Sequence, residues 1–272
     1  MDNRPIGIFD SGVGGLTAVR RLILDAPNES FVYFGDNLRA PYGDRTPEDI
    51  RFLSRRNARF LRSRGVKALI IACNTSTANA MAELSGDNAD IPAVGTVAPT
   101  AAEAVRVTAS GRIAVIATTA TIRSGLYERT IRALAPDAAV TSVSCPKLVP
   151  LIESGHIDRG DPALTAALRE YLAPVAAAGA DTVVLACTHY PLISDAVLDV
   201  LGRPAALVDS GAACVGEVLA RLAERDGLAA PGAARSERFC CSGSADGFTA
   251  VARAFLGRDI AALTERVDVE GV

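Results

Sequence analysis

Two short segments of the 272-residue chain end in the same way. Ala68-Leu-Ile-Ile-Ala-Cys-Asn-Thr and Thr182-Val-Val-Leu-Ala-Cys-Thr-His each read as a buried apolar strand closing on Ala-Cys. Cysteine reacts as the thiolate, and its ordinary pKa of about 8.5 falls near a helix N-terminus or a cation. Inverting a stereocentre by proton transfer calls for a base on one face of the carbon and an acid on the other, because a single group tends to return the proton to the face it came from. Cys73 and Cys187, one from each of two similar segments, fit that requirement. The competing reading is a pair of structural thiols, since cysteine is among the most buried residue types. For Cys145, Cys214, Cys240 and Cys241 the structural reading is preferred, and no CxxC spacing marks a metal site or a disulfide framework.

Other chemistries are less well served. Lysine occurs only at Lys67 and Lys147, neither at a strand end, which argues against a Schiff-base or pyridoxal mechanism. The two histidines, His156 and His189, are too few and too far apart to build a zinc site without an unusual donor set. The run Asp10-Ser-Gly-Val-Gly-Gly-Leu follows a strand and opens a helix, so its backbone N–H groups can meet an anion. It has neither a Walker lysine nor dinucleotide spacing, and it suits a carboxylate better than a nucleotide. A helix cap is the competing reading of Asp10.

These residues need elements to hold them. Short apolar runs at 5–9, 30–34, 68–72, 91–95, 112–117, 140–144, 182–186 and 206–208 alternate with segments of helical period, among them 47–63. That alternation predicts an α/β fold with parallel sheets. A second echo, Ile6-Gly-Ile-Phe-Asp-Ser-Gly against Ile113-Ala-Val-Ile-Ala-Thr-Thr, turns it into two pseudo-symmetric, doubly wound lobes. Ligands bind beyond the carboxyl ends of such strands, so both Ala-Cys turns are expected to face a cleft between the lobes. The C-terminal stretch is expected to cross back, making residues 1–97 plus 209–272 one lobe and 98–208 the other. Residues 227–234, rich in Gly, Ala and Pro, read as a mobile surface loop without chemistry.

A net charge of −3 without a basic face gives no indication of nucleic-acid binding. No apolar run approaches the roughly 20 residues that span a bilayer. No export signal precedes Asp10, so the expected location is the cytoplasm and the cysteines are expected as free thiols.

Ile6-Gly-Ile-Phe-Asp-Ser-Gly-Val-Gly-Gly-Leu, Phe34-Gly-Asp, Pro41-Tyr-Gly, Ala72-Cys-Asn-Thr and Ala186-Cys-Thr-His-Tyr-Pro, in this order, resemble the motifs of the glutamate racemases. The resemblance runs from about residue 5 to about residue 210. It implies a cofactor-independent, metal-free exchange of L-glutamate and D-glutamate for peptidoglycan synthesis, by an enzyme that is commonly a homodimer. By position it makes Cys73 the base towards the D-enantiomer and Cys187 the base towards the L-enantiomer. It sets Asp10 and His189 beside these thiols, with Glu153 of Pro150-Leu-Ile-Glu-Ser-Gly assisting His189; a solvent-facing Glu is the alternative for Glu153. Substrate contacts fall on Asp10, Ser11, Pro41, Tyr42, Gly43, Asn74, Thr75, Thr118, Thr121, Thr188 and His189. These are mostly small, neutral hydrogen-bonding residues, fixed dipoles suited to a zwitterion losing a proton. An aspartate racemase or a non-catalytic amino-acid-binding protein are the alternatives. Activation by a cell-wall precursor, which the resemblance ties to an N-terminal extension in longer relatives, is not expected, because the chain reaches Asp10 at once.

Overall fold

The computed structural model describes residues 1–271. Four strands, β1 (Ile6–Asp10), β2 (Phe31–Gly35), β3 (Ala68–Ile71) and β4 (Ala93–Gly95), alternate with helices α1 (Leu16–Asp25), α2 (Pro47–Ser63) and α3 (Asn74–Asp87). Helix α4 (Val97–Val107) leads into β5 (Arg112–Ala117), α5 (Thr119–Ser124), α6 (Leu126–Leu134) and β6 (Ala139–Ser144). Then come α7 (Leu148–Glu153), α8 (Pro162–Ala177), β7 (Thr182–Ala186), α9 (Ser194–Leu201) and β8 (Ala206–Asp209). The chain closes with α10 (Ser210–Ala223), β9 (Glu237–Cys241), α11 (Ala245–Leu256) and β10 (Thr264–Arg266).

All strand pairs are parallel and fall into two sheets, ordered β10-β9-β2-β1-β3-β4 and β6-β5-β7-β8. The second order repeats the arrangement β2-β1-β3-β4 of the first, so β3 corresponds to β7 and β1 to β5. The register carries the correspondence to single residues. Phe9 pairs with Ile71, two residues before Cys73, and Ile116 pairs with Leu185, two residues before Cys187. The two thiols therefore occupy the same place in two copies of one topology, beyond the carboxyl end of a central strand.

Local sequence accounts for the elements. Strands β1, β2, β3 and β7 are buried along their whole length, as parallel strands covered on both faces must be. Helix α2 spans the expected 47–63: Thr46 accepts from the Asp49 amide at 3.2 Å, Pro47 sits at the first position and Glu48 and Asp49 lie in the first turn. Ile50, Leu53, Phe60 and Leu61 form its buried stripe. Strand β4 begins at Ala93 rather than at 91, since Pro92 has no N–H to give the ladder. Strands β9 and β10 were not expected: β9 starts on Glu-Arg and β10 is only Thr-Glu-Arg, a short polar edge strand without an apolar signal.

Residues 227–234 carry no regular structure, as the composition implied, but they are tied down. The buried Lys67 ammonium donates to the carbonyls of Asp2 and Gly227 at 2.6 and 2.9 Å, and pairs with Glu29 at 2.7 Å. Glu29 also accepts from the Ala229 amide at 2.7 Å.

Candidate functional site

Cys73 follows β3 after Ala72 and caps α3, its sulfur accepting from the Ser76 amide at 3.4 Å. Cys187 directly follows β7. Both are nearly buried, 4 and 6% exposed, and both line one cavity of about 530 Å³, a size that suits a small molecule. Ser11, Pro41, Tyr42 and Gly43 form part of its wall next to the first sheet, with Asn74 and Thr75 on the first turn of α3. Thr118, Thr188, His189 and Glu153 line it from the second sheet's side.

Asp10 and Thr121 are not in that lining; they stand behind it. Asp10 is wholly buried, accepts from the Gly12 amide at 3.0 Å and from the Thr188 hydroxyl at 3.3 Å, and so joins the β1 turn to the turn after β7. It does not cap α1, whose cap is Gly15 without a side-chain bond. Its use of the Gly12 amide also removes one of the N–H groups that the sequence offered to an anion. The Thr121 hydroxyl lies 3.3 Å from that of Thr75 and 3.0 Å from that of Thr118, which are 2.9 Å from each other. This hydroxyl triangle links the start of α3 to the turn after β5. Asn74 is equally engaged: its Oδ1 accepts from the Tyr127 and Thr96 hydroxyls at 2.6 and 2.9 Å, and its Nδ2 donates to Ser210 at 2.9 Å.

The electrostatics separate the two thiols. Burial and then the charge of Asp10 push Cys73 up to about 11, against the pull of Ser76 and the Ser11 hydroxyl 3.7 Å away. The helix start that was expected to favour the Cys73 thiolate is outweighed by desolvation, and the group rests as a thiol. Burial raises Asp10 as well, opposed by the charge of His189, by the Gly12 and Gly15 amides and by Thr188. At His189 burial acts downward, but Cys187, Glu153 and Asp10 together lift the ring to about 10, which makes it an imidazolium at neutral pH. Its Nδ1 is 3.8 Å from the Cys187 sulfur and its Nε2 2.9 Å from Glu153 Oε1. Both ring nitrogens of an imidazolium are donors, so the two contacts are satisfied together. Glu153 is the last residue of α7 and its side chain is 41% exposed, so it both meets solvent and holds His189.

His156 pairs with Asp161 at 2.9 Å outside the cavity, and neither lysine reaches it. Among the described residues no group of three or more His, Cys, Asp or Glu side chains is placed to hold a metal. All six cysteines are free thiols.

Residues 17–218 match the model of the Asp/Glu/hydantoin racemase family. The chain belongs to this racemase family. A glutamate racemase of Desulforudis audaxviator is 44% identical over 267 residues, covering 96% of each chain. The crystal structure of a glutamate racemase isoform from Bacillus anthracis superimposes with a TM-score of 0.92 at 34% identity, covering 98% of each chain. That of the Francisella tularensis glutamate racemase in complex with D-glutamate gives 0.92 at 32% identity over the whole of both chains.

In this racemase-family chain several cavity residues were not foreseen. Cys145, assigned a structural role on sequence, is buried and yet lines the cavity at the end of β6, beside Pro146, Val149 and Pro150. The strand-end rule could have found it, because β6 neighbours β5 and points the same way. Val251 enters from α11, which no motif marks.

Proposed function

We propose that the protein interconverts L-glutamate and D-glutamate by proton transfer at Cα, without pyridoxal phosphate or metal, with Cys73 and Cys187 as the two acid–base groups. The observation that carries this reading is the placement of two topologically equivalent thiols on one cavity of about 530 Å³. The glutamate racemase relatives, one of them with D-glutamate bound, supply the substrate.

In the L-to-D direction the Cys187 sulfur takes the α-proton on one face while the Cys73 thiol gives its proton to the other. One C–H bond breaks, one forms, and the proton count on the two sulfurs is exchanged. At rest Cys73 holds its proton, as the acid of this direction must, and the His189 ring stands 3.8 Å from the Cys187 sulfur that acts as base. The D-to-L direction runs the same steps backwards, with Cys73 as base. His189, held by Glu153, and Asp10 adjust the charge around Cys187 and Cys73 respectively. The carbanionic substrate is stabilised by the hydroxyls of Ser11, Thr75, Thr118 and Thr188, the Asn74 amide and the backbone of Tyr42 and Gly43, with Pro41 shaping the wall and Asp10 and Thr121 supporting it from behind.

Residues 1–97 with 209–272 and residues 98–208 form the two lobes in this reading, in keeping with β9 and β10 extending the sheet of β1–β4. The enzyme acts in the cytoplasm as a homodimer and supplies D-glutamate for peptidoglycan. No helix of the described residues is long and apolar enough to cross a membrane. The test is circular dichroism of L-glutamate, D-glutamate, L-aspartate and D-aspartate incubated with chelator-treated protein. Loss of optical activity with glutamate alone supports the reading; loss with aspartate alone transfers the chemistry to another substrate, and no change removes the activity.

A further inference from the structure

Phe34-Gly-Asp is among the motifs that carry the family resemblance, yet Asp36 neither lines the cavity nor touches a thiol. It is wholly buried, and its acceptor positions are engaged by three residues, two from its own loop and one from the segment after β9. The Tyr42 hydroxyl donates to Oδ2 at 2.5 Å, while the Ser242 hydroxyl and the Arg39 guanidinium donate to Oδ1 at 2.6 and 2.8 Å. The segment that follows β9 is bound in turn to the loop that follows β2. Ser242 Oγ accepts from the Leu38 amide at 3.0 Å, Asn37 Oδ1 accepts from the Gly243 amide at 2.8 Å, and Arg39 also pairs with Glu270 at 2.9 Å.

Within this network Tyr42, together with Asn37, meets the cavity. Its oxygen accepts from Asn57 of α2 at 3.1 Å and its only proton goes to Asp36, so the hydroxyl has none left to give a ligand. The cavity is met instead by the fixed ring and by the backbone of Tyr42 and Gly43. Gly43 extends the wall to the second sheet's side: its carbonyl accepts from the Ala120 amide at 3.0 Å, and a Cβ there would stand 3.2 Å from Thr118. A displacement of Tyr42 is therefore transmitted to both sides of the cavity.

We propose that Asp36 is a positioning residue of the racemase site: through Tyr42, and braced by Ser242, it fixes the Pro41-Tyr42-Gly43 wall and makes substrate affinity depend on the segment after β9. The inference rests on the reading of the cavity as the amino-acid site. It also gives the returning C-terminal stretch a part in binding, although Ser242 and Glu270 lie outside the cavity. Burial and Asp36 hold the Tyr42 phenol well above its ordinary value, so its hydroxyl stays a donor throughout the working pH range.

The experiment compares wild type with Ser242→Ala, Ser242→Thr and Asp36→Asn. It measures kcat and KM in both directions, the calorimetric Kd for D-glutamate and the thermal midpoint. Ser242→Ala is expected to raise KM and Kd together by roughly three- to tenfold with kcat within about twofold of wild type, and Ser242→Thr to restore both. Asp36→Asn is expected to do the same more strongly; should it fail to fold, Ser242→Ala decides. Unchanged KM and Kd in Ser242→Ala, whatever the thermal midpoint does, overturn the proposal and leave Asp36 a purely structural residue. Failure of wild type to bind or turn over glutamate sinks the glutamate assignment instead, and the same comparison made with aspartate then decides the positioning claim.

Discussion

At Gly14 the backbone passes close to the His189 ring, and Gly14→Ala turns that proximity into a measurement. Its φ lies outside the left-handed region, so the substitution is one of space alone. A Cβ there would stand 2.5 Å from both Nδ1 and Cε1 of His189 and would also strike the Thr188 hydroxyl. Thr188 can rotate away, but His189 is held by Glu153 at 2.9 Å and lies edge-on to Phe255 with ring centroids 5.4 Å apart. Restoring ordinary contact moves the ring by about 1 Å, a misplacement that costs on the order of 10²-fold when it falls on a catalytic group. The expected result, read by circular dichroism from both enantiomers, is kcat lowered roughly 10²-fold in both directions, because each turnover uses Cys187 once as base or once as acid. Denaturant unfolding shows whether the variant is folded. A folded Gly14→Ala protein with kcat within about threefold of wild type refutes the claim that His189 acts on Cys187 through this geometry.

Glu153→Gln removes one of the groups holding His189 near 10, so the imidazolium should persist over a narrower range and the alkaline limb of the kcat profile should move to lower pH; an unmoved limb counts against the pairing. Folding linkage acts with one sign at both raised groups: His189 rises from 6.5 to about 10 and Cys73 from 9.0 to about 11, so their stabilising contribution is full below the lower values and is lost as pH climbs through the higher ones. Urea midpoints should therefore fall between pH 7 and about 11, and should fall less in a His189→Asn, Cys73→Ala double variant. Glu29→Ala leaves Lys67 buried and unpaired and should cost about 3–5 kcal/mol in urea unfolding, whereas Glu29→Leu with Lys67→Met should recover most of it. A loss below about 1 kcal/mol for the single variant would place the pair among surface salt bridges.

Much of the architecture was legible because the parallel strands are apolar throughout and the two Ala-Cys turns end corresponding strands. What was not legible has physical causes. Strand β10 is the edge strand, where Thr264 and Glu265 are tolerated and the apolar signal disappears, while β9 inside it opens on Glu237-Arg238 and leaves only Phe239, Cys240 and Cys241 as an apolar run too short to read as a strand. The thiolate expectation at Cys73 rested on a helix start or a cation near the turn; the competing desolvation, and the upward push of Asp10 that the resemblance set beside the thiols, become visible only when the turns after β1 and β3 meet. From the residues alone Glu153 reads as a solvent-facing helix residue, and its side chain is indeed half in solvent; only the family resemblance set it beside His189, because the bond spans 36 residues of sequence and needs the fold to exist. Asp10 and Thr121 were legible as site residues but not as residues of its rear wall, a distinction set by side-chain direction.

The most direct test of the two-thiol account is solvent-deuterium incorporation at Cα of L-glutamate and D-glutamate by wild type, Cys73→Ser and Cys187→Ser, followed by NMR without added pyridoxal phosphate or metal. The account predicts labelling and racemisation by wild type and a loss of about 10²- to 10⁴-fold in racemisation for each serine variant. Racemisation near the wild-type rate in either variant contradicts it, because a single sulfur would then be serving both faces of the carbon.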